Sequence, residues 1–224
     1  MTFAMPNTTT PGVFALTGIC GVIDAACFLK LGGVFAEIMT GNLMFAAFSL
    51  GEGRLAMDFF QFAVPLVAFT VGALAGGYVL RSDRFKARSR TGFVWTFTLV
   101  VLAAVLAALW QVEGTSTQAR IVVAVLALAM GLQNALVLEH GVPDIATNVM
   151  TLTLVRVLSN WSIIGGDNKR WQYRIGSLAI FTTGAAMGAF LSRWGAEFAL
   201  VAAAALYAVA LVWLLRGRAP AVTP

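Results

Sequence analysis

Six long apolar runs constrain this chain more than any other feature. They cover residues 13–31, 59–80, 93–110, 121–138, 175–192 and 198–215. Each is roughly 18–22 residues long, which at 1.5 Å per helical residue matches the hydrocarbon thickness of a bilayer. Only 11% of all residues are charged, whereas soluble domains carry roughly 25%. The sequence therefore predicts an all-α polytopic protein, one membrane domain over residues 1–224, whose surroundings are the lipid bilayer.

The net charge of +5 is concentrated in one short loop. Five of the fifteen basic residues lie within residues 81–90, between two apolar runs. Such a loop is typical of the cytoplasmic side of a membrane protein. The basic charge therefore indicates membrane orientation in a cell inner membrane and does not point to a nucleic-acid partner.

Two further segments, 34–50 and 145–165, are apolar but interrupted by polar residues. The first contains Glu37 and the sequence Met39-Thr40-Gly41-Asn42, and the second contains Thr147, Asn148, Thr151, Thr153 and Arg156. Glycine permits a helix break, and Thr or Asn can cap the helix that follows. Irregular backbone at membrane depth is tolerated only when it is buried in protein or lines a cavity. We therefore expect two re-entrant or broken segments.

Counting basic residues on each side of the membrane separates a topology of six spans from one of eight. With both segments re-entrant, six spans leave both termini in the cytoplasm, with ten basic residues inside and four outside. Eight spans give seven on each side, which the positive-inside rule rejects. If only the first segment crosses, seven spans give eleven against three, so seven spans is the rival topology; six is preferred because the repeat described next favours treating both segments alike.

An internal repeat relates the two halves of the chain. Residues 21–26 match 131–136 at an offset of 110, residues 39–43 match 150–154 at 111, and residues 72–76 match 184–188 at 112. This predicts repeat one over about 12–111 and repeat two over about 120–216. Three spans per repeat would make the second copy inverted, which is a recurrent transporter design.

Asp24 interrupts the first apolar run, and a carboxylate at membrane depth costs at least ~2.5 kcal/mol to insert. Its counterpart in the second half is Asn134, with Gln133 beside it. The expected substrate-binding residues around one shared cavity are Asp24, Thr40, Gly41, Asn42, Gln133, Asn134, Thr151 and Thr153. A half-helix starting near Thr40 would offer free N–H groups to an anion or a polar oxygen. Purely structural hydrogen bonding is the alternative for Asp24 and for the amide pair.

Three other polar residues have open roles. Glu37 and Arg156 could flank a pore or reach the interface, and Arg156 could pair with Asp24. His140 is expected in a loop. Asp24→Asn is expected to leave folding largely intact and to remove proton coupling, because an amide keeps the shape of the carboxylate but carries no proton.

Glycine pairs spaced by four occur at Gly72/Gly76 and Gly184/Gly188. Such spacing allows two helix backbones to approach closely. The faces that carry them are expected to join the two halves, with a homodimer interface as the competing use.

No enzyme or cofactor is predicted. The sequence contains no phosphate-binding glycine loop, no metalloprotease motif and no nucleophile elbow. Cys20 and Cys27 lie about 10 Å apart along one helix face, too far for a disulfide, and are interpreted as buried structural residues.

The motifs Gly21-x-x-Asp24-Ala25, Met39-Thr40-Gly41-Asn42 and Gly131-Leu132-Gln133-Asn134 resemble the YoaK-type family of bacterial inner-membrane proteins of unknown function. The resemblance covers about residues 14–215 and departs at 151–153, where Thr-Leu-Thr replaces Thr-Gly-Thr. It implies a membrane protein with about six helices and adds no substrate.

The predicted function is passage of a small polar or ionic solute, by a transporter or channel-like protein driven by a gradient, with protons moving through Asp24. A non-transport scaffold, sensor or partner-binding subunit is the alternative. A packed centre with Asp24 bonded only to backbone would favour that alternative.

Overall fold

The computed structural model describes residues 10–53, 58–81, 89–140, 150–167 and 170–216. The long helices are α1 (Thr10–Lys30), α3 (Asp58–Arg81), α4 (Ser89–Trp110), α5 (Thr117–His140), α7 (Trp171–Leu191) and α8 (Ala196–Arg216). The short helices are α2 (Met39–Gly51) and α6 (Met150–Ser159), and one 3₁₀ turn follows α6 at Ser162–Ile164. The six long helices are apolar enough to cross a membrane. The all-helical, six-span prediction is confirmed.

These segments are helical because a helix satisfies its own backbone hydrogen bonds, which a bilayer requires. Many exposed residues of the long helices are apolar: along α3, for example, Val67, Leu74 and Tyr78 are all exposed. Such surfaces suit lipid. The core lies around α1 and α5, where Leu16, Ile23, Met130 and Leu136 are fully buried.

The α2 segment enters and leaves the bundle at the same end. Just after α1, the Gly32 carbonyl accepts a hydrogen bond from Gln61 Nε2 at 3.1 Å, and Gln61 lies in the first turn of α3. The end of α1 and the start of α3 are therefore neighbours. In addition, α2 has 13 residues, which at 1.5 Å each gives about 20 Å, short of a crossing. The structure thus favours six spans over seven.

A close seam joins α3 to α5. Gly131 of α5 lies so near α3 that a Cβ there would collide with the Phe69 carbonyl oxygen and approach Ala73 N. Gly72 and Gly76 of α3 lie against α5 in the same way.

The seam between α1 and α7 repeats these contacts. Gly21 of α1 faces the Phe181 carbonyl and Ala185 N, and Gly184 and Gly188 of α7 lie against α1. Gly21 and Gly131 are 110 residues apart, while the facing residues of α7 follow those of α3 by 112. The internal duplication stays a prediction, with these paired contacts as its support.

The four spaced glycines thus contact other helices of the same chain: Gly72 and Gly76 lie against α5, and Gly184 and Gly188 lie against α1. The homodimer stays a prediction, and a second copy would have to use other surfaces of α3 and α7.

Several expectations fall outside the described residues. They concern the two termini, residues 82–88 of the basic loop, and residues 141–149 with Thr147 and Asn148. His140, expected in a loop, is the last residue of α5.

Candidate functional site

Asp24 is buried, with 3% of its surface exposed, and its carboxylate holds the backbone of the three residues that precede α2. Oδ1 accepts hydrogen bonds from the backbone N–H of Ala36 at 2.8 Å and of Glu37 at 2.9 Å. Oδ2 accepts one from Ile38 N at 3.3 Å. Residues 36–38 lead directly into α2, so the carboxylate lies at the positive end of that helix. The first N–H groups of α2 itself are not bonded by Asp24: Met39 N donates to the Glu37 carbonyl at 2.8 Å and Gly41 N to the Ile38 carbonyl at 3.0 Å.

Asn42 completes the support of this loop. Its Oδ1 accepts a hydrogen bond from Phe35 N at 2.9 Å, and its Nδ2 donates to the Phe35 carbonyl at 2.7 Å. The amide therefore pairs with both polar groups of one residue's backbone. Together, Asn42 and Asp24 satisfy the irregular stretch 35–38, which could not otherwise be buried cheaply at membrane depth.

The loop carries a second carboxylate, Glu37, into the centre of the protein. Glu37 is 2% exposed, and its Oε1 accepts a hydrogen bond from Asn134 Nδ2 at 3.1 Å. Asn134 also donates to the Met130 carbonyl at 2.9 Å, which fixes its orientation on α5. This contact joins a carboxylate of the first half to an amide of the second.

The thiol of Cys20 connects the remaining side chains. It accepts a hydrogen bond from Gln133 Nε2 at 3.3 Å, and it lies one helical turn before Asp24 on α1. We name these five residues the central polar cluster: Cys20, Asp24, Glu37, Gln133 and Asn134. It lies where α1, the 31–38 loop and α5 meet, about 9 Å along α1 from its end at Lys30. Both Cys20 and Cys27 are buried free thiols.

The structure brings together only part of the predicted site. Asp24, Gln133 and Asn134 belong to the central polar cluster, and Asn42 supports its loop. Gly41 packs against the Phe35 ring.

The three predicted threonines differ from that group. Thr40 and Thr151 are exposed, and Thr153 is buried on α6. Within the described residues, α6 packs mainly against α7, whereas the central polar cluster is built from α1, the 31–38 loop and α5. A place for Thr151 and Thr153 beside the shared site stays a prediction.

The suggested pairing of Arg156 with Asp24 is not formed. Arg156 is exposed on α6, and its carbonyl accepts a hydrogen bond from Arg174 Nη1 at 3.1 Å. All the hydrogen bonds of Asp24 come from backbone N–H groups.

Glu37 belongs to the central polar cluster, although the sequence had left its role open. The available signal was its position two residues before Met39-Thr40-Gly41-Asn42, as a second carboxylate in the same polar segment. What sequence lacks is the path of the loop, which turns this side chain inward.

These features define a multi-pass helical membrane protein in which a carboxylate of the first span holds the loop that leads into a short re-entrant helix. Residues 12–213 match the family described as protein of unknown function, DUF1275, and the chain belongs to that family. It is 24% identical over 166 residues to the UPF0700 transmembrane protein YoaK of Bacillus subtilis (strain 168), covering 72% of this chain and 70% of the relative. No solved structure matches. The resemblance to the YoaK-type family is confirmed.

Proposed function

We propose that the protein is a transporter or channel-like protein for a small polar or ionic solute, and that Glu37 is the group that binds the solute or the coupling proton. The observation that carries the proposal is the contact between the buried Glu37 side chain and the half-buried Asn134. Ionisable residues within membrane bundles are costly, and they usually mark ion paths or binding sites. Here the carboxylate is displayed by irregular backbone, a recurrent way of building transporter sites.

Glu37, and not Asp24, is therefore the carboxylate that we expect to bind the solute or the coupling proton. Asp24 uses both carboxylate oxygens to hold the backbone of residues 36–38, so its position fixes the loop. Glu37 is attached to that loop and contacts α5 through its side chain. A change in how Glu37 is bonded would therefore change the contact between the loop and the second half.

The paired glycine seams supply a mechanical rationale. If the halves are inverted repeats, the α1–α7 and α3–α5 pairs are equivalent rigid units, and each takes one helix from each half. Alternating access in such folds comes largely from rocking one rigid bundle against the other around a fixed site, and here the two helix pairs would be the bundles that move. In this proposal the central polar cluster, which contains side chains from both halves, is that site.

Reconstituted vesicles provide the test. Wild-type protein in vesicles with an internal pH-sensitive dye would be given gradients of alkali-metal ions, ammonium, organic amines and amino acids. We expect at least one solute to drive proton movement or its own uptake. Glu37→Gln, which keeps the length of the side chain, should abolish this flux, whereas Glu113→Gln at the exposed α4–α5 connection should retain it. A panel without any flux, or a Glu37→Gln variant with wild-type flux, would contradict the proposal.

A non-transport scaffold or sensor is the second candidate function. It is favoured by one observation: the bonds of Asp24 all go to backbone N–H groups, as expected for a structural carboxylate. The same vesicle experiment separates the two candidates, because a scaffold supports no flux, with or without Glu37.

We further propose that the protein lies in the cell inner membrane with both termini in the cytoplasm. The support is the distribution of basic residues, with ten on the cytoplasmic side of a six-span chain. Reporter fusions at each terminus test this orientation: both should report cytoplasmic, and an external N-terminus would contradict it.

A further inference from the structure

Gln133 is buried in the central polar cluster with only half of its amide bonded. It is 0% exposed, and its Nε2 donates to Cys20 Sγ at 3.3 Å. Its Oε1 is buried as well and accepts no hydrogen bond from the residues that the structure describes. Buried side-chain oxygens of this kind are uncommon in native proteins, and each one calls for an explanation. An amide oxygen accepts hydrogen bonds or coordinates cations, and it cannot donate.

The groups beside this oxygen indicate what it could bind. The Glu37 carboxylate accepts a hydrogen bond from Asn134 Nδ2 at 3.1 Å, and Asn134 directly follows Gln133 on α5. Asp24 lies one helical turn from Cys20 on the same face of α1. The cluster therefore combines two carboxylates with the amide oxygen of Gln133. Such surroundings repel an anion and favour a guest that is positively charged.

We propose that the Glu37 carboxylate and Gln133 Oε1 form a binding site for a small monovalent cation between the 31–38 loop and α5. This inference rests on the proposed function and names its solute class. Carboxylate and amide oxygens are the hard ligands that alkali-metal ions prefer. An ammonium ion would meet the same oxygens with N–H donors, so both kinds of cation share the chemistry.

The first test uses the wild-type protein in detergent. Its thermal unfolding midpoint would be measured in chloride salts of lithium, sodium, potassium and ammonium, against N-methyl-D-glucamine chloride at equal ionic strength. A cation that binds only the native state raises the midpoint in a saturable way. We expect saturable stabilisation by at least one small cation and none by N-methyl-D-glucamine. Comparing sodium with ammonium distinguishes coordination from hydrogen bonding.

The second test removes the oxygen of Gln133. Gln133→Met keeps the length and approximate volume of the side chain, and it should weaken the apparent cation affinity by about tenfold or more, as expected for loss of one charge-assisted contact. Gln118→Met is the matched control, because Gln118 is exposed near the start of the same helix. It should retain the wild-type affinity. If Gln133→Met does not fold, Gln133→Glu serves instead, and its added carboxylate should tighten cation binding.

Equal responses to all five salts would overturn the inference, as would wild-type saturation in Gln133→Met or unchanged binding in Gln133→Glu. Failure of this site and failure of the proposed function remain distinguishable. Cation binding without flux in vesicles would keep the site and remove transport. Flux of a neutral or anionic solute without cation binding would keep transport and remove the site.

Discussion

The first and fifth helices carry different residues at matching positions, an acid at Asp24 and an amide at Asn134. Asp24 accepts three backbone hydrogen bonds and holds the loop of its own half. Asn134 donates across to Glu37, a side chain displayed by that loop. One residue fixes the shape of the segment, and its counterpart contacts the side chain that this shape presents. At these two matching positions, one side chain therefore bonds the backbone of its own half and the other makes a contact between the halves.

The largest expected effect comes from removing the hydrogen bonds between the Asp24 carboxylate and the backbone of residues 36–38. Asp24→Ala leaves three buried N–H groups without an acceptor, so we expect a loss of roughly 3 kcal/mol or more in the free energy of unfolding. Asp24→Asn is also expected to destabilise the protein, because the amide NH₂ group would face the N–H of Ile38, and two donors cannot bond each other. This revises the expectation from sequence that Asn would leave folding intact. SDS titration of the detergent-solubilised protein measures both losses. A fully stable Asp24→Asn variant would show that the carboxylate is not needed to hold residues 36–38.

The glycine seams test whether the two halves are equivalent. Gly21→Ala and Gly131→Ala each place a Cβ against a backbone carbonyl that cannot rotate away. We expect both to lose about 1–3 kcal/mol of stability, by similar amounts. Gly77→Ala on α3 is the control: its Cβ would meet open space, so it should be neutral or gain up to ~1 kcal/mol from helix propensity. Widely different losses at Gly21 and Gly131 would argue against equivalent seams.

A smaller effect is expected at the other support of the loop. Asn42→Ala removes both hydrogen bonds to Phe35, and we expect a loss of about 1–2 kcal/mol. Asn42→Asp keeps the acceptor for Phe35 N, but its second carboxylate oxygen would face the Phe35 carbonyl oxygen, so this variant should also lose stability. Thermal unfolding midpoints should fall for Asn42→Ala and stay unchanged for Thr40→Ala, since Thr40 is exposed. Equal midpoints for the two alanine variants would show that Asn42 does not hold the loop.

The smallest effect is expected at the end of the bundle. Lys30 Nζ and Glu113 Oε1 are 3.3 Å apart, but the Glu113 side chain is 69% exposed. Exposed ion pairs contribute roughly 0–1 kcal/mol, so Glu113→Gln should leave the unfolding midpoint nearly unchanged. This also qualifies it as the control for Glu37→Gln. A large drop in the midpoint at low salt would indicate that this pair holds α1 to the α4–α5 connection.

Part of the site could be predicted because it depends on local sequence. Asp24 is recognisable as a lone carboxylate in an apolar run, and Asn42 as a polar residue after a glycine in a short segment. The contact that Glu37 makes with α5 could not be predicted in this way. Its partner Asn134 is 97 residues away in sequence, and no local pattern encodes which side chain a loop turns inward.

The sequence alone determined the six spans, because length and apolarity decide whether a helix can cross a bilayer. It also indicated the glycine faces, since only small residues let two helix backbones approach closely. The tertiary structure decided which groups meet. Asp24 bonds residues 12 to 14 positions further along the chain, and that contact exists only because the 31–38 loop turns back along α1. Asn134 reaches Glu37 only because the α1–α7 and α3–α5 seams place α5 beside that loop. Hydrogen bonds act over about 3 Å, so their partners are fixed by the path of the whole chain.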